Sequence, residues 1–112
     1  MCTKMQLDNI ARQMAQSYRS VYGNDVVAIY LYGSYAREDF DHESDIDITA
    51  IVKGDRLELQ NKLKKIWDIS ADIGLENDVI VSPTVIPFEE FEEYKHTLPY
   101  YMNIQKEGKR IG

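Results

Sequence analysis

The alternation in Asp45-Ile46-Asp47-Ile48-Thr49-Ala50-Ile51-Val52 constrains this chain more than any other feature. Side chains along a strand point to opposite faces in turn, so Ile46, Ile48, Ala50 and Val52 make one wholly apolar face that needs a cover of helices. Asp45, Asp47, Thr49 and Ile51 share the other face. Two carboxylates side by side repel, and burial raises a carboxyl pKa. A hard divalent cation removes that penalty, and magnesium takes carboxylate oxygens together with phosphate oxygens and waters. In a chain with 19 Asp+Glu, an Asp-x-Asp taken alone also fits an ordinary acidic strand end.

The residues upstream narrow the choice. Val26-Val27-Ala28-Ile29-Tyr30-Leu31-Tyr32 is a nearly unbroken β-favouring run, as expected of a strand covered on both faces. Gly33 then lets a phosphate approach the backbone, because it has no Cβ. Ser34 can cap a short helix over Tyr35–Asp39, whose free N–H groups make an anion site. Ten residues, Tyr35 to Ser44, separate the Gly-Ser pair from Asp45. Strand, Gly-Ser, short helix, loop and Asp-x-Asp strand suit a nucleoside triphosphate with magnesium. Arg37 can reach phosphate or lie on a solvated helix face. His42, alone in a polar connection, receives no role.

The remaining pattern is that of one small domain, residues 1–112. Hydrophobic content of 44% with 29% charged residues is ordinary for a globular protein. A formal net charge of −6 argues against a protein that tracks nucleic-acid phosphates. A single cysteine, Cys2, suits a reducing cytoplasm. No signal peptide or apolar span of about 20 residues is visible, so a cytoplasmic location is expected. Leu7, Ile10, Ala11, Met14, Tyr18, Val21 and Tyr22 recur at helical spacing, which predicts a helix over Lys4–Tyr22. A second helix is expected over Asp55–Ile73, with Leu59, Leu63, Ile66, Trp67 and Ile73 inward and Gly74 ending it. The strand–helix–strand order predicts a crossover over one sheet face. Asp78–Ser82 reads as the next strand, with Pro83 against its continuing unbroken and Thr84–Ile86 resuming it at an edge. Pro87 starts a short helix with Phe88, Phe91 and Tyr94 inward and Glu89, Glu90, Glu92 and Glu93 outward. A last helix begins at Thr97-Leu98-Pro99, with Tyr100, Tyr101 and Ile104 as packing residues and Gly108 at its end. Lys109–Gly112 either frays or adds an edge strand.

Gly33-Ser34, ten residues, and Asp45-Ile46-Asp47 resemble the signature of the DNA polymerase β-like nucleotidyltransferases. More narrowly, the chain is similar to their minimal members, the MNT proteins, many of which are antitoxins to HEPN-domain toxins. The resemblance runs from Val26 to about Ile86. Family members commonly read Gly-Ser-x-Ala-Arg-Gly at the turn, where this chain has Gly33-Ser34-Tyr35-Ala36-Arg37-Glu38. It implies an α/β (α+β) fold, a polymerase β-like palm with a small mixed sheet flanked by helices. It also implies two Mg2+ ions held by Asp45 and Asp47, with ATP as substrate and Gly33 and Ser34 on its triphosphate. A third carboxylate on a later strand completes the family's site; Asp78 fits that position and Glu76 competes for it.

The implied activity is transfer of AMP from ATP to an acceptor hydroxyl, a tyrosine of a cognate HEPN ribonuclease toxin. Larger relatives bind the acceptor with a second domain, for which this chain has only two short helices to spare. The four glutamates from Glu89 to Glu93 would favour a basic partner. Two other readings stay open: a small-molecule nucleotidyltransferase of the aminoglycoside-modifying kind, completed by a homo-oligomer, and an antitoxin that acts by binding alone.

Overall fold

A computed structural model describes residues 4–32 and 45–112. Gly33, Ser34, Arg37, His42 and the expected helix over Tyr35–Asp39 lie outside the described residues. The described elements are α1 (Lys4–Tyr22), β1 (Val26–Tyr32), β2 (Ile46–Val52), α2 (Arg56–Asn77), β3 (Val81–Pro87), α3 (Phe88–Tyr94), α4 (Pro99–Glu107) and β4 (Lys109–Arg110). The sheet order is β3-β2-β1-β4. β1 runs antiparallel to β2 and β4, whereas β2 and β3 are parallel and joined by the α2 crossover. The fold is therefore α+β with a mixed four-stranded sheet.

The apolar face of β2 is covered as its alternation requires. Ile46, Ile48, Ala50 and Val52 pack with Ile29 and Leu31 of β1 against Ile10, Met14 and Tyr18 of α1 and Leu59, Leu63 and Ile66 of α2. Burial of each large aliphatic side chain contributes roughly 1.5–3 kcal/mol. A smaller cluster lies on the opposite face, where Ile51 and Ile86 meet Phe91 of α3 and Tyr101 and Ile104 of α4. The face bearing the carboxylates is thus plugged at the C-terminal end of β2, and Asp45 and Asp47 stand at the other end.

Several expectations need correction. Trp67 is not a core residue: it is 49% exposed. The buried stripe of α2 runs through Leu59, Leu63, Ile66, Ser70 and Ile73. Trp67 is one residue, about 100° of helix, beyond Ile66 and falls outside it. Ser70 takes the inward position and its hydroxyl donates to the Trp67 carbonyl at 2.8 Å. Gly74 does not end this helix, which continues to Asn77. The glycine is needed for a close approach, since a Cβ there would lie 2.6 Å from the Val79 carbonyl oxygen.

The expected strand opening at Asp78 is also displaced. Asp78 is the C-cap of α2, with left-handed φ and ψ of 55° and 46°, and β3 starts only at Val81. Pro83 does not interrupt that strand. β3 is an edge, with β2 as its one neighbour, and an edge strand can point a missing N–H away from the sheet. Pro87 closes β3 and caps α3 rather than opening the helix. Tyr94 and Tyr100, expected to pack, are 37% and 45% exposed. Lys109 and Arg110 add the edge strand, opposite Leu31 and Tyr30.

Candidate active site

The site is built on the first residues of β2. Asp45 is exposed and Asp47 half-buried. Burial, then the neighbouring charge of Asp45, raises the Asp47 pKa above its ordinary value of 3.8. The two carboxylates therefore feel each other as their shared parity requires. The antiparallel register sets Tyr32 opposite Asp47 on one side, and the parallel register sets Ser82 beside it on the other. One step along the sheet, Tyr30, Thr49 and Thr84 form the next row. β1 ends at Tyr32, the residue before Gly33, so its pairing with Asp47 brings that end of β1 to the carboxylate pair.

Tyrosines wall this end of the face. The Tyr32 and Tyr100 hydroxyls are 2.9 Å apart, and the rings meet edge-on with centroids at 6.0 Å. Tyr100 in turn lies edge-on to Tyr101 at 5.7 Å. Burial foremost, then the bond to Tyr100, pushes the Tyr32 pKa well above that of an ordinary phenol, and the charge of Asp47 adds to the effect. Tyr32 stays neutral and offers a hydroxyl beside the carboxylates. Below them, the buried Thr49 hydroxyl oxygen has no hydrogen-bond partner among the described residues, and the Thr84 hydroxyl lies beside that of Tyr32. Tyr32, Tyr100 and Ser82 were not singled out from the sequence. The parity that pairs Asp45 with Asp47 could have placed Tyr32 and Ser82 had the strand register been known; Tyr100 comes from a distant helix, and no local pattern points to it.

The donor set fits a hard divalent cation: two neighbouring carboxylates, Asp47 raised in pKa by burial and then by the charge of Asp45, beside neutral hydroxyls. Asp78 does not join them. Among the described residues no group of three His, Cys, Asp or Glu side chains is placed to hold a metal ion. Glu76 lies inside α2, on the wall of a groove with Gln13 and Gln16 of α1.

The model of the nucleotidyltransferase domain family matches residues 7–111. The chain belongs to this family. Two Methanocaldococcus jannaschii relatives named "Putative protein adenylyltransferase" extend the likeness. One is 28% identical over 81 residues, 72% of this chain and 80% of that protein. The other is 26% identical over 105 residues, 94% of this chain and 97% of that protein. The fold of this nucleotidyltransferase is also that of two solved structures, each covering 91% of this chain and 72% of the other. A toxin–antitoxin crystal structure with AMP-PNP superposes with a TM-score of 0.57 at 17% identity. A mutant of the MntA-HpeT toxin–antitoxin superposes with a TM-score of 0.57 at 15% identity. Among the described residues, no helix of the nucleotidyltransferase is long and apolar enough to cross a membrane.

Proposed function

We propose that this nucleotidyltransferase is a magnesium-dependent protein adenylyltransferase that moves AMP from ATP to a tyrosine hydroxyl of a HEPN-type toxin and so silences it. The observation that carries this reading is the closeness of Asp45, the residue before β2, to Asp47 within it, in a chain that matches the family over 7–111. The names of the relatives support protein as the acceptor, and the toxin–antitoxin structures of the same fold support a toxin as the partner.

Asp45 and Asp47 would hold magnesium; Gly33, Ser34 and Arg37 would hold the triphosphate. The bound cation would neutralise charge on the phosphate oxygens as the leaving group departs. The acceptor oxygen forms a bond to the α-phosphorus, the bond from that phosphorus to the α–β bridging oxygen breaks, and pyrophosphate leaves with the electron pair. The hydroxyl proton passes to solvent or to a base on the partner. The Tyr32 hydroxyl can donate to Asp47 or to a phosphate oxygen, since it stays protonated. The acceptor must still be oriented, and orientation supplies much of the rate in transfers of this kind. A folded partner docked beside Tyr100 would supply it.

Intact-mass spectrometry tests the reading. A cognate HEPN-type toxin should gain AMP units when mixed with the chain and Mg-ATP, and lose ribonuclease activity. Asp47→Asn should abolish both effects. An unmodified toxin that is still silenced by Asp47→Asn would replace this reading with an antitoxin acting by binding alone.

A further inference from the structure

Among the described residues, the strands around Asp47 offer no third carboxylate for a two-ion site. We infer that the chain's own β-strand carboxylates seat one divalent cation with the nucleotide, and that the β3 flank, where a second acid is expected, is uncharged. The inference rests on the nucleotide-binding reading above and concerns the composition of the same site.

The parallel register fixes which residues flank the carboxylates. Asp47 lies beside Ser82 and Ile46 beside Val81, and laterally paired side chains share a face. The Ile46 N–H donates to the Ile80 carbonyl at 2.8 Å, so the register carried one step further sets Ile80 beside Asp45. Ile80 is 62% exposed, an apolar residue at a position where burial gives no reason for one. Thr84 follows on the same face. The β3 flank thus reads Ile80, Ser82, Thr84, with no charge. Asp78 precedes them, but there the backbone has left the strand conformation to cap α2.

Charge decides how many ions this set can seat. Two divalent ions about 3.5–4 Å apart repel, and such sites offset the repulsion with anionic ligands shared between them or held by each. Magnesium also gives up its waters reluctantly and needs near-octahedral oxygen donors. Asp45, Asp47 and the triphosphate can satisfy one ion; a serine hydroxyl and an isoleucine add no anionic ligand for another. An acceptor hydroxyl approaching over β3 then meets no resident base on that strand, and its proton must leave by solvent or by the partner.

Manganese counted by electron paramagnetic resonance, with AMP-PNP saturating the chain, tests this without turnover. The expected count is one Mn2+ per bound nucleotide in the wild type and in Asp78→Asn. Ser82→Asp restores a carboxylate beside Asp47 and is expected to raise the count to two. Ile80→Asp provides the same test at an exposed position, should the first variant fail to fold. Two ions in the wild type would overturn the inference and move the second seat to Asp78 or to Glu38, Asp39, Asp41 or Glu43. One ion in both aspartate variants would overturn the β3 flank as the vacant seat. No nucleotide-dependent Mn2+ at all would instead overturn the functional reading on which the inference rests.

Discussion

Asp47 carries a cost in the free protein that a bound cation would remove. Its folded pKa lies above the ordinary 3.8 because of burial and the charge of Asp45. A raised carboxyl contributes stability that is fully present below its unfolded pKa and is lost as pH rises through the folded value. Asp47→Asn is therefore expected to melt slightly above the wild type at pH 7 without ligand. That difference should shrink towards zero below pH 3.8, where both proteins are uncharged at this position. Melting curves against pH check it, and a variant less stable at pH 7 would contradict it. Asp78 is a second residue whose role the backbone decides. With φ of 55° it occupies the left-handed region, where glycine avoids a side-chain penalty. Asp78→Gly is expected to gain up to about 1–2 kcal/mol, the left-handed penalty it relieves, and to keep Mg-ATP affinity, measured by chemical denaturation and by calorimetry. Loss of affinity would return Asp78 to the metal site. The closeness of Asp45 to Asp47 was legible from the sequence because strand parity is local. The relation of Asp78 to them was not, because it depends on where α2 stops, and a helix end shifts easily by a few residues.

Among the elements, α1 and β2 were the most legible, because each has an apolar face that repeats without interruption. α1 spans Lys4–Tyr22, as its periodicity predicts. Its Tyr18 does more than fill the core: the buried hydroxyl donates to the Thr84 carbonyl at 2.8 Å and lies 3.3 Å from that of Ile48. The helix is thereby tied to both parallel strands beneath the carboxylates. Tyr18→Phe removes a buried bond and leaves acceptors less satisfied, at an expected cost of about 1–2 kcal/mol. A fall of several degrees in Tm measures it, and an unchanged Tm would show that the hydroxyl contributes nothing. α2 was legible in its first half only. The sequence points to a stop at Gly74, yet the helix runs on to Asn77, because the glycine serves a close approach to the Val79 carbonyl. The edge position expected for Thr84–Ile86 holds, and only the interruption at Pro83 does not, because an edge strand tolerates a proline whose missing N–H points away from the sheet.

At the scale of the molecule, the division of labour between the sheet faces explains where chemistry can occur. One face is closed by α1 and α2. Among the described residues, the other is closed by α3 and α4 around Ile51 and Ile86, with Asp45 and Asp47 at the opposite, N-terminal end of β2. Helix cover of the first face was readable from β2 alone. The tyrosine wall was not, since Tyr32 and Tyr100 are 68 residues apart in sequence. In the proposed function, the carboxylate pair holds the cation through which ATP is bound. Calorimetric titration of ATP in the presence and absence of Mg2+ tests it most directly. The wild type is expected to bind ATP at least 10-fold more tightly with Mg2+, about 1.4 kcal/mol, and Asp47→Asn should lose that gain while keeping its fold. An equal Mg2+ dependence in the two proteins would contradict the claim.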